Sequence, residues 1–406
     1  MIKRPPGKGA IGVLLLIVFF DMLAFGIIIP FTPFWAERYG ASPFEVTLLF
    51  STYSFFAFLS SFPWGVISDK WGRRPILCFS MLGTAISFAM VSQADALWML
   101  FAARAFGGLM GGTLPVAQAY IADVTPREER AGRMGMMGAA IGAGFVLGPG
   151  IGWALTGLGT GEADFRTAFM IAAGVGALGF VAALLLLREP PAKTVSDDPR
   201  SIPARLKAFS VAGATPAVLY PIIILTLLAF CMAGLEATFA LWTERQLHWG
   251  VREVSIFFLY IGGIMVLVQG GMVRPLAKRL GEAKLVVAGA LLMSIGYASV
   301  LFVYAPPLAF VGGALIAVGF GLASPSLTAL ISRNAPDEHQ GAAMGASQSV
   351  QSLCRILGPI TAGAAFTGFG RDAPYLAGAI ILFIAFLIAV WQCGSFLKID
   401  SPVRFT

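Results

Sequence analysis

Four charged residues sit deep inside long apolar stretches of this 406-residue chain: Asp21, Arg104, Glu236 and Arg355. A charge at the centre of a bilayer costs about 2.5–3.5 kcal/mol on insertion scales, so such residues face a protein interior or a water-filled space and usually act there. Two acids and two bases are the minimum for two internal pairs, and Asp21 with Arg104, and Glu236 with Arg355, are the expected partners. Burial favours the neutral form of an acid, whereas a nearby guanidinium favours the ionised form. A movement that separates such a pair takes up a proton, and one that closes it releases the proton. Asp21 and Arg104 are therefore candidates for proton coupling, with a static structural pair as the plainer alternative. Glu236 is suited to attracting a cationic molecule or carrying a second proton.

The elements that must hold these charges follow from composition. The chain is 57% hydrophobic and 12% charged, against about 25% charged in soluble domains. Apolar stretches long enough for a bilayer, which takes about 20 residues, recur at 11–35, 44–67, 75–93, 96–121, 133–157, 165–187, 217–245, 252–277, 285–304, 306–332, 341–369 and 373–397. Helices are required, because an unpaired backbone group in lipid costs several kcal/mol. Most of the 28 basic residues lie in alternate loops and at both ends, while the opposite loops hold only Arg38, Arg166, Arg245, Arg252 and Arg371. By the positive-inside rule both termini are cytoplasmic. The same bias accounts for the net charge of +7, so no nucleic-acid partner is needed. The first stretch is too long for a signal peptide and is expected to stay as a membrane helix. The four cysteines fall within or at the end of apolar stretches, with no metal or disulfide spacing.

The sequence repeats at an offset of about 210. Gly148-Pro149 matches Gly358-Pro359, Pro115 matches Pro325, and Glu45-Val46 matches Glu253-Val254. Six spans separate the copies, so the repeat is parallel. The expected organisation is an all-α membrane protein of twelve transmembrane helices. It has a six-helix bundle over 1–187, a cytoplasmic linker over 188–215 and a second six-helix bundle over 216–406. Within the linker, Arg205–Phe209 has the pattern of a short surface helix, although a solvated linker is as good a reading.

Along the fourth span, Arg104, Gly108, Gly111, Pro115 and Gln118 share one face, expected to line a central cavity; Gln348, Gln351 and Arg355 cluster similarly in the eleventh. Phe25, Tyr53, Tyr260 and Gln269 are weaker cavity candidates, with ordinary core packing as the plainer reading. The fifth span carries Gly144, Gly148, Pro149 and Gly152, whose spacing of four lets helices approach closely and whose proline can bend the helix.

Between the second and third spans runs Gly65-Val66-Ile67-Ser68-Asp69-Lys70-Trp71-Gly72-Arg73-Arg74-Pro75. It resembles the signature loop of the major facilitator superfamily. The resemblance implies a cytoplasmic gate in which Asp69 meets the amino end of the eleventh helix and Arg73 pairs with Asp123 at the end of the fourth. Lys70 and Arg74 are as well explained by charge anchoring. The second-half counterpart, Arg274 to Lys284, keeps only Gly281 and its basic character. The helix-five run is similar to the motif of drug–proton antiporters. Asp21 to Pro30 resembles helix one of that group, the tetracycline-exporter branch in particular. Those exporters also carry acids in helices three and nine, and 75–93 and 285–304 have none, which argues against tetracycline–metal exchange.

The resemblance implies alternating access by the two halves about a midplane cavity, driven by the proton gradient without a cofactor. The partners are a small-molecule substrate, protons and the lipid bilayer of the cell's inner membrane, and the chain is expected to be a monomer. Proton-driven export of amphiphilic or cationic compounds is the leading reading. Proton-coupled uptake or facilitated passage of a nutrient or lipid, and a non-transporting receptor or scaffold, are the alternatives. No catalytic constellation suggests an enzyme.

Overall fold

The computed structural model describes residues 8–126, 129–156, 162–190, 215–336 and 340–399. The expected linker therefore lies almost wholly outside the described residues, Arg205–Phe209 included. Every regular element among the described residues is helical. In chain order these are α1 (Lys8–Ile28), α2 (Thr32–Arg38), α3 (Pro43–Trp71), α4 (Arg73–Ser92), α5 (Leu97–Leu109), α6 (Thr113–Val124), α7 (Arg130–Leu155) and α8 (Glu162–Leu186). The second half follows with α9 (Pro216–Leu247), α10 (Val251–Leu267), α11 (Val273–Leu280), α12 (Glu282–Val300), α13 (Pro306–Asn334), α14 (Gln340–Phe369) and α15 (Ala373–Ile399). A single π turn, Val268–Met272, joins α10 to α11. Eleven of the expected spans are long and apolar enough to cross a membrane. The twelfth, α14, is 30 residues long, and its glutamines, serines and Arg355 dilute its apolar character.

Two expected spans are broken, each for a local reason. The first divides into α1 and α2 at Pro30 and Pro33, because proline removes a helical donor; the Thr32 hydroxyl donates to the Ile28 carbonyl at 2.9 Å. The fourth divides into α5 and α6 at Met110–Gly112. There Ser80 on α4 donates to the Met110 carbonyl at 2.6 Å and accepts from the Gly112 N–H at 3.0 Å. The matching proline, Pro325, leaves α13 continuous. Leu322 and Ala290 stand where Gly112 and Ser80 stand in the first half, so no hydroxyl competes for the backbone there.

Contacts divide the chain near Asp197 into two compact units, except that Trp249–Leu259, the loop and first turns of α10, cluster with the first. In the first unit α1 is central. Leu14, Ile17 and Val18 pack with Ile76 and Met81 of α4, Tyr120 of α6 and Ala183 of α8. In the second, α9 packs against α13, α14 and α15, and α12 against α13 and α15. Lipid gives helices no hydrophobic reason to associate, so small residues that permit close approach do much of this work. The repeat is visible in these contacts. A Cβ on Gly148 would lie 2.5–2.7 Å from the backbone of Gly26 and Ile27 on α1. A Cβ on Gly358 would lie 2.7 Å from the Phe230 carbonyl on α9. Gly148→Ala is expected to destabilise the protein by about 1–3 kcal/mol, the usual cost of overpacking. Gly138→Ala, with open space around its Cβ, should leave the thermal midpoint in detergent unchanged.

The repeated glutamates have a similar explanation. Glu45 accepts the Ser42 N–H at 2.8 Å as part of a capping box on α3. Glu253 accepts the Gly250 N–H at 2.9 Å at the start of α10. Each satisfies a donor that a helix start would leave unpaired.

Candidate functional site

Asp21 lies on α1, 9% exposed, and Arg104 on α5, 5% exposed. The structure does not join them in an ion pair. Thr84 of α4 donates to the Asp21 carboxylate at 3.2 Å. Arg104 donates to the Thr32 hydroxyl at 2.7 Å, and that hydroxyl bonds the end of α1. Height along the helix accounts for the correction. Thr32 anchors at Ile28, seven residues beyond Asp21, which is about 10 Å at a rise of 1.5 Å per residue. Each charge therefore has a neutral hydroxyl as its partner.

A narrow cleft opens beside Asp21, lined by Phe25, Tyr53, Thr84, Ser87, Phe88 and Gly107 among others. Phe25 stands at its wall, with ring centroids 5.5 Å from Tyr53 and 6.2 Å from Phe145. The helix-five glycines hold the opposite side of α1. Gly144 faces Phe19, Met22 and Leu23, Gly148 faces Gly26, and Gly152 faces Ile27 and Phe31. Pro149 lies inside α7 without ending it.

The expected continuous face from Arg104 to Gln118 does not form. The break at Met110–Gly112 interrupts it, and Gly108 is taken up in packing: its Cβ would meet the Tyr53 carbonyl at 2.4 Å. Gln118 is exposed. In the second unit Glu236 is half-buried on α9. Arg355 is exposed on α14, and no ion pair joins it to Glu236 among the described residues. Gln348 is exposed and Gln351 half-buried on the same helix. Gln351 bonds only weakly back to Ser347 at 3.4 Å.

The loop after α3 is built around Gly72, whose φ of 101° lies in a region that glycine adopts at no steric cost. Gly65 lies about two turns earlier in α3, with open space around it. Arg73 pairs with Asp123 of α6 at 2.8 Å and with Asp69 at 2.5 Å, and donates to Ser68 at 2.5 Å. Arg73 and Asp123 are 12% and 15% exposed, whereas Asp69 is 61% exposed. Arg74 reaches past this cluster to the Leu184 carbonyl at 2.6 Å. Glu189 was not legible as part of this loop. Its carboxylate accepts the Arg73 and Arg74 N–H groups at 2.6 and 2.9 Å, capping the first turn of α4 with an acid, as the helix dipole favours.

The second-half loop is less degenerate than its sequence suggests. Gly281 has φ 83° and the same place between two helices. Glu282 and Arg333 pair at 3.0 Å, at positions that match Arg73 and Asp123 at offsets of 209 and 210. The bridge between the start of one helix and the end of the next is thus retained with its charges reversed. Lys278 likewise stands where Asp69 stands. Residue-type matching misses this, because geometry conserves the pair and not the sign.

Among the described residues no cluster of metal-ligating side chains occurs. The three cysteines whose side chains are described, Cys78, Cys231 and Cys354, are buried and free.

Known proteins resemble the chain over most of its length. Over 372 residues it is 31% identical to the class C tetracycline resistance protein of Escherichia coli, covering 87% of this chain and 88% of that one. It is 27% identical over 384 residues to the quinolone resistance protein NorA of Staphylococcus aureus, covering 90% and 94%. Among solved structures, a bacterial homologue of the human lysosomal transporter Spinster superposes with a TM-score of 0.78 at 18% identity, covering 96% and 97%. The human organic anion transporter MFSD10 does so at 0.70 and 22%, covering 95% and 100%. The Major Facilitator Superfamily model matches residues 14–359 and 272–393, and the chain, an all-helical multi-pass membrane transporter, belongs to that family.

Proposed function

We propose that this protein is a proton-coupled exporter of small amphiphilic or cationic compounds, working by alternating access of its two halves, 1–187 and 216–406. The observation that carries the reading is Asp21, a buried acid held by a neutral hydroxyl beside a cleft. An acid without a fixed counter-charge can change protonation at modest cost, which a permanent ion pair would oppose. The names of the tetracycline and quinolone resistance relatives support drug export. Substrates differ from tetracycline–metal chelates, because α4 carries no acid, and α12 carries only Glu282 in its first turn. The role of Arg104 is to hold the end of α1 through Thr32, so that Asp21 senses motion of α1 against α4.

Glu236, Gln348, Gln351 and Arg355 form the polar wall at which substrate is recognised, since polar residues at membrane depth face water or ligand. Glu236→Gln is expected to leave neutral substrates moving and to lower transport of cationic ones by about tenfold, the worth of about 1.4 kcal/mol of lost charge attraction. An unchanged substrate range across a cation series would count against this role. The loop Gly65–Arg74, with Asp123, acts as the cytoplasmic gate. Both termini are cytoplasmic, and the protein works as a monomer in the inner membrane.

The test uses vesicles holding the purified protein and an internal pH dye, with lipophilic cations and antibiotics added to either side. Proton flux opposite to substrate establishes antiport. Flux in the same direction, or substrate movement without protons, overturns export and favours uptake or facilitated passage.

A further inference from the structure

The second unit contains a pocket that the transport reading does not use. It lies between α9, α14 and α15, closed at its inner end by Tyr297 of α12, and encloses about 600 Å³ counted with the open space at its mouth. Its walls are almost wholly apolar or small, with Phe230, Leu235, Ala362 and Ile381 prominent.

The few hydroxyls in it are already engaged. Thr238 donates to the Gly234 carbonyl at 2.9 Å and shares a bond with Tyr375 at 3.2 Å. Tyr297 donates to the Cys231 carbonyl at 2.5 Å, and Thr361 to that of Leu357 at 2.9 Å. With the hydroxyl protons spent, a ligand with acceptors or an anionic group would find no free donor among these hydroxyls and would lose its own hydration. Hydrocarbon has no such requirement.

The mouth identifies the source. At about 100° per residue, α14 has two exposed faces on opposite sides. Gln348 and Arg355 lie on one, and Leu353 and Leu357 on the other, the latter two 43% and 49% exposed. The pocket opens beside the apolar face, at exposed Thr361 of α14 and exposed Ala377 of α15. Leu376 and Ile380, 52% and 55% exposed, flank it on α15. In a membrane helix such a face meets acyl chains. We infer that this pocket is a binding site for one hydrocarbon chain of a membrane lipid, which enters between α14 and α15 and ends against Tyr297 and Tyr375.

The full-length protein is reconstituted in phosphatidylethanolamine–phosphatidylglycerol vesicles doped with phosphatidylglycerol carrying a diazirine near the end of one acyl chain. After photolysis, labelled residues are located by mass spectrometry. The expected result is label on Tyr297, Tyr375 or Phe230 inside the pocket as well as on Leu376 and Ile380 at its rim. Ala377→Trp, a change at an exposed position, is expected to cut the inner labelling by about tenfold, the factor for about two methylenes losing burial, and to leave rim labelling unaltered. A parallel arm adds unlabelled dodecylamine: persistence of the inner label assigns the site to bilayer lipid, and its loss assigns the chain to a soluble amphiphile and overturns the lipid assignment. Label confined to the rim in the wild-type protein, or inner label unaffected by Ala377→Trp, overturns the site itself. The readout is binding and does not depend on the direction or proton coupling of transport.

Discussion

Asp21→Asn is expected to abolish proton-driven accumulation of substrate while leaving a folded protein. Asparagine keeps the size of the side chain and an oxygen that accepts the Thr84 hydroxyl, now at 3.2 Å, so the packing of α1 on α4 is preserved. It cannot exchange a proton. One pH unit is worth about 1.4 kcal/mol per proton, enough for an approximately tenfold substrate gradient in a one-for-one exchange. In vesicles with a one-unit pH step, the wild-type gradient should approach that limit and the Asp21→Asn gradient should collapse to unity. Downhill substrate movement is expected to survive, because the helices that move are unchanged. An undiminished gradient in the variant would remove Asp21 from coupling and direct attention to Glu236, the other acid inside the spans.

The second large effect concerns the bridge at the start of α4. Arg73→Glu places a third carboxylate beside Asp69 and Asp123 and takes the guanidinium away from a mostly buried acid. Removing one member of a buried pair costs about 3–5 kcal/mol, and the residual exposure of 12% and 15% puts the expectation at the lower end. A lower thermal midpoint in detergent and transport reduced by at least about tenfold should follow. The second half of the molecule supplies the rescue. Since Glu282 and Arg333 make the same bridge with reversed signs at 3.0 Å, Arg73→Glu with Asp123→Arg should recover most of the lost thermal midpoint. Recovery of the midpoint without recovery of transport would separate the scaffold role of the bridge from the gating role of Arg73 itself. No recovery would show that sign, and not only pairing, matters at this position.

Residue order alone was enough for the class of this protein. Bilayer thickness sets the length of each apolar stretch, and backbone hydrogen bonding in lipid forces those stretches into helices. The alternation of basic loops and the offset of the Gly-Pro pairs then carried the number of spans and the repeat. Asp21 and Glu236 stood out because charge is expensive in a membrane helix, and the loop around Gly72 because a sharp turn needs glycine. Partnership came from the packing of the helices. Asp21 and Arg104 are the natural pair by charge, yet they sit at different heights and each takes a threonine, because height along an axis depends on how helices are seated and leaves no trace in residue order. Pro115 breaks a helix where Pro325 does not, because Ser80 on a neighbouring helix competes for the backbone and Ala290 cannot. Glu189 reaches back 115 residues to cap α4, and Glu282 with Arg333 preserves a bridge whose sign has been reversed. Each depends on atoms brought within about 3 Å across distant segments, a distance that hydrogen bonds require and that only the packed helices fix.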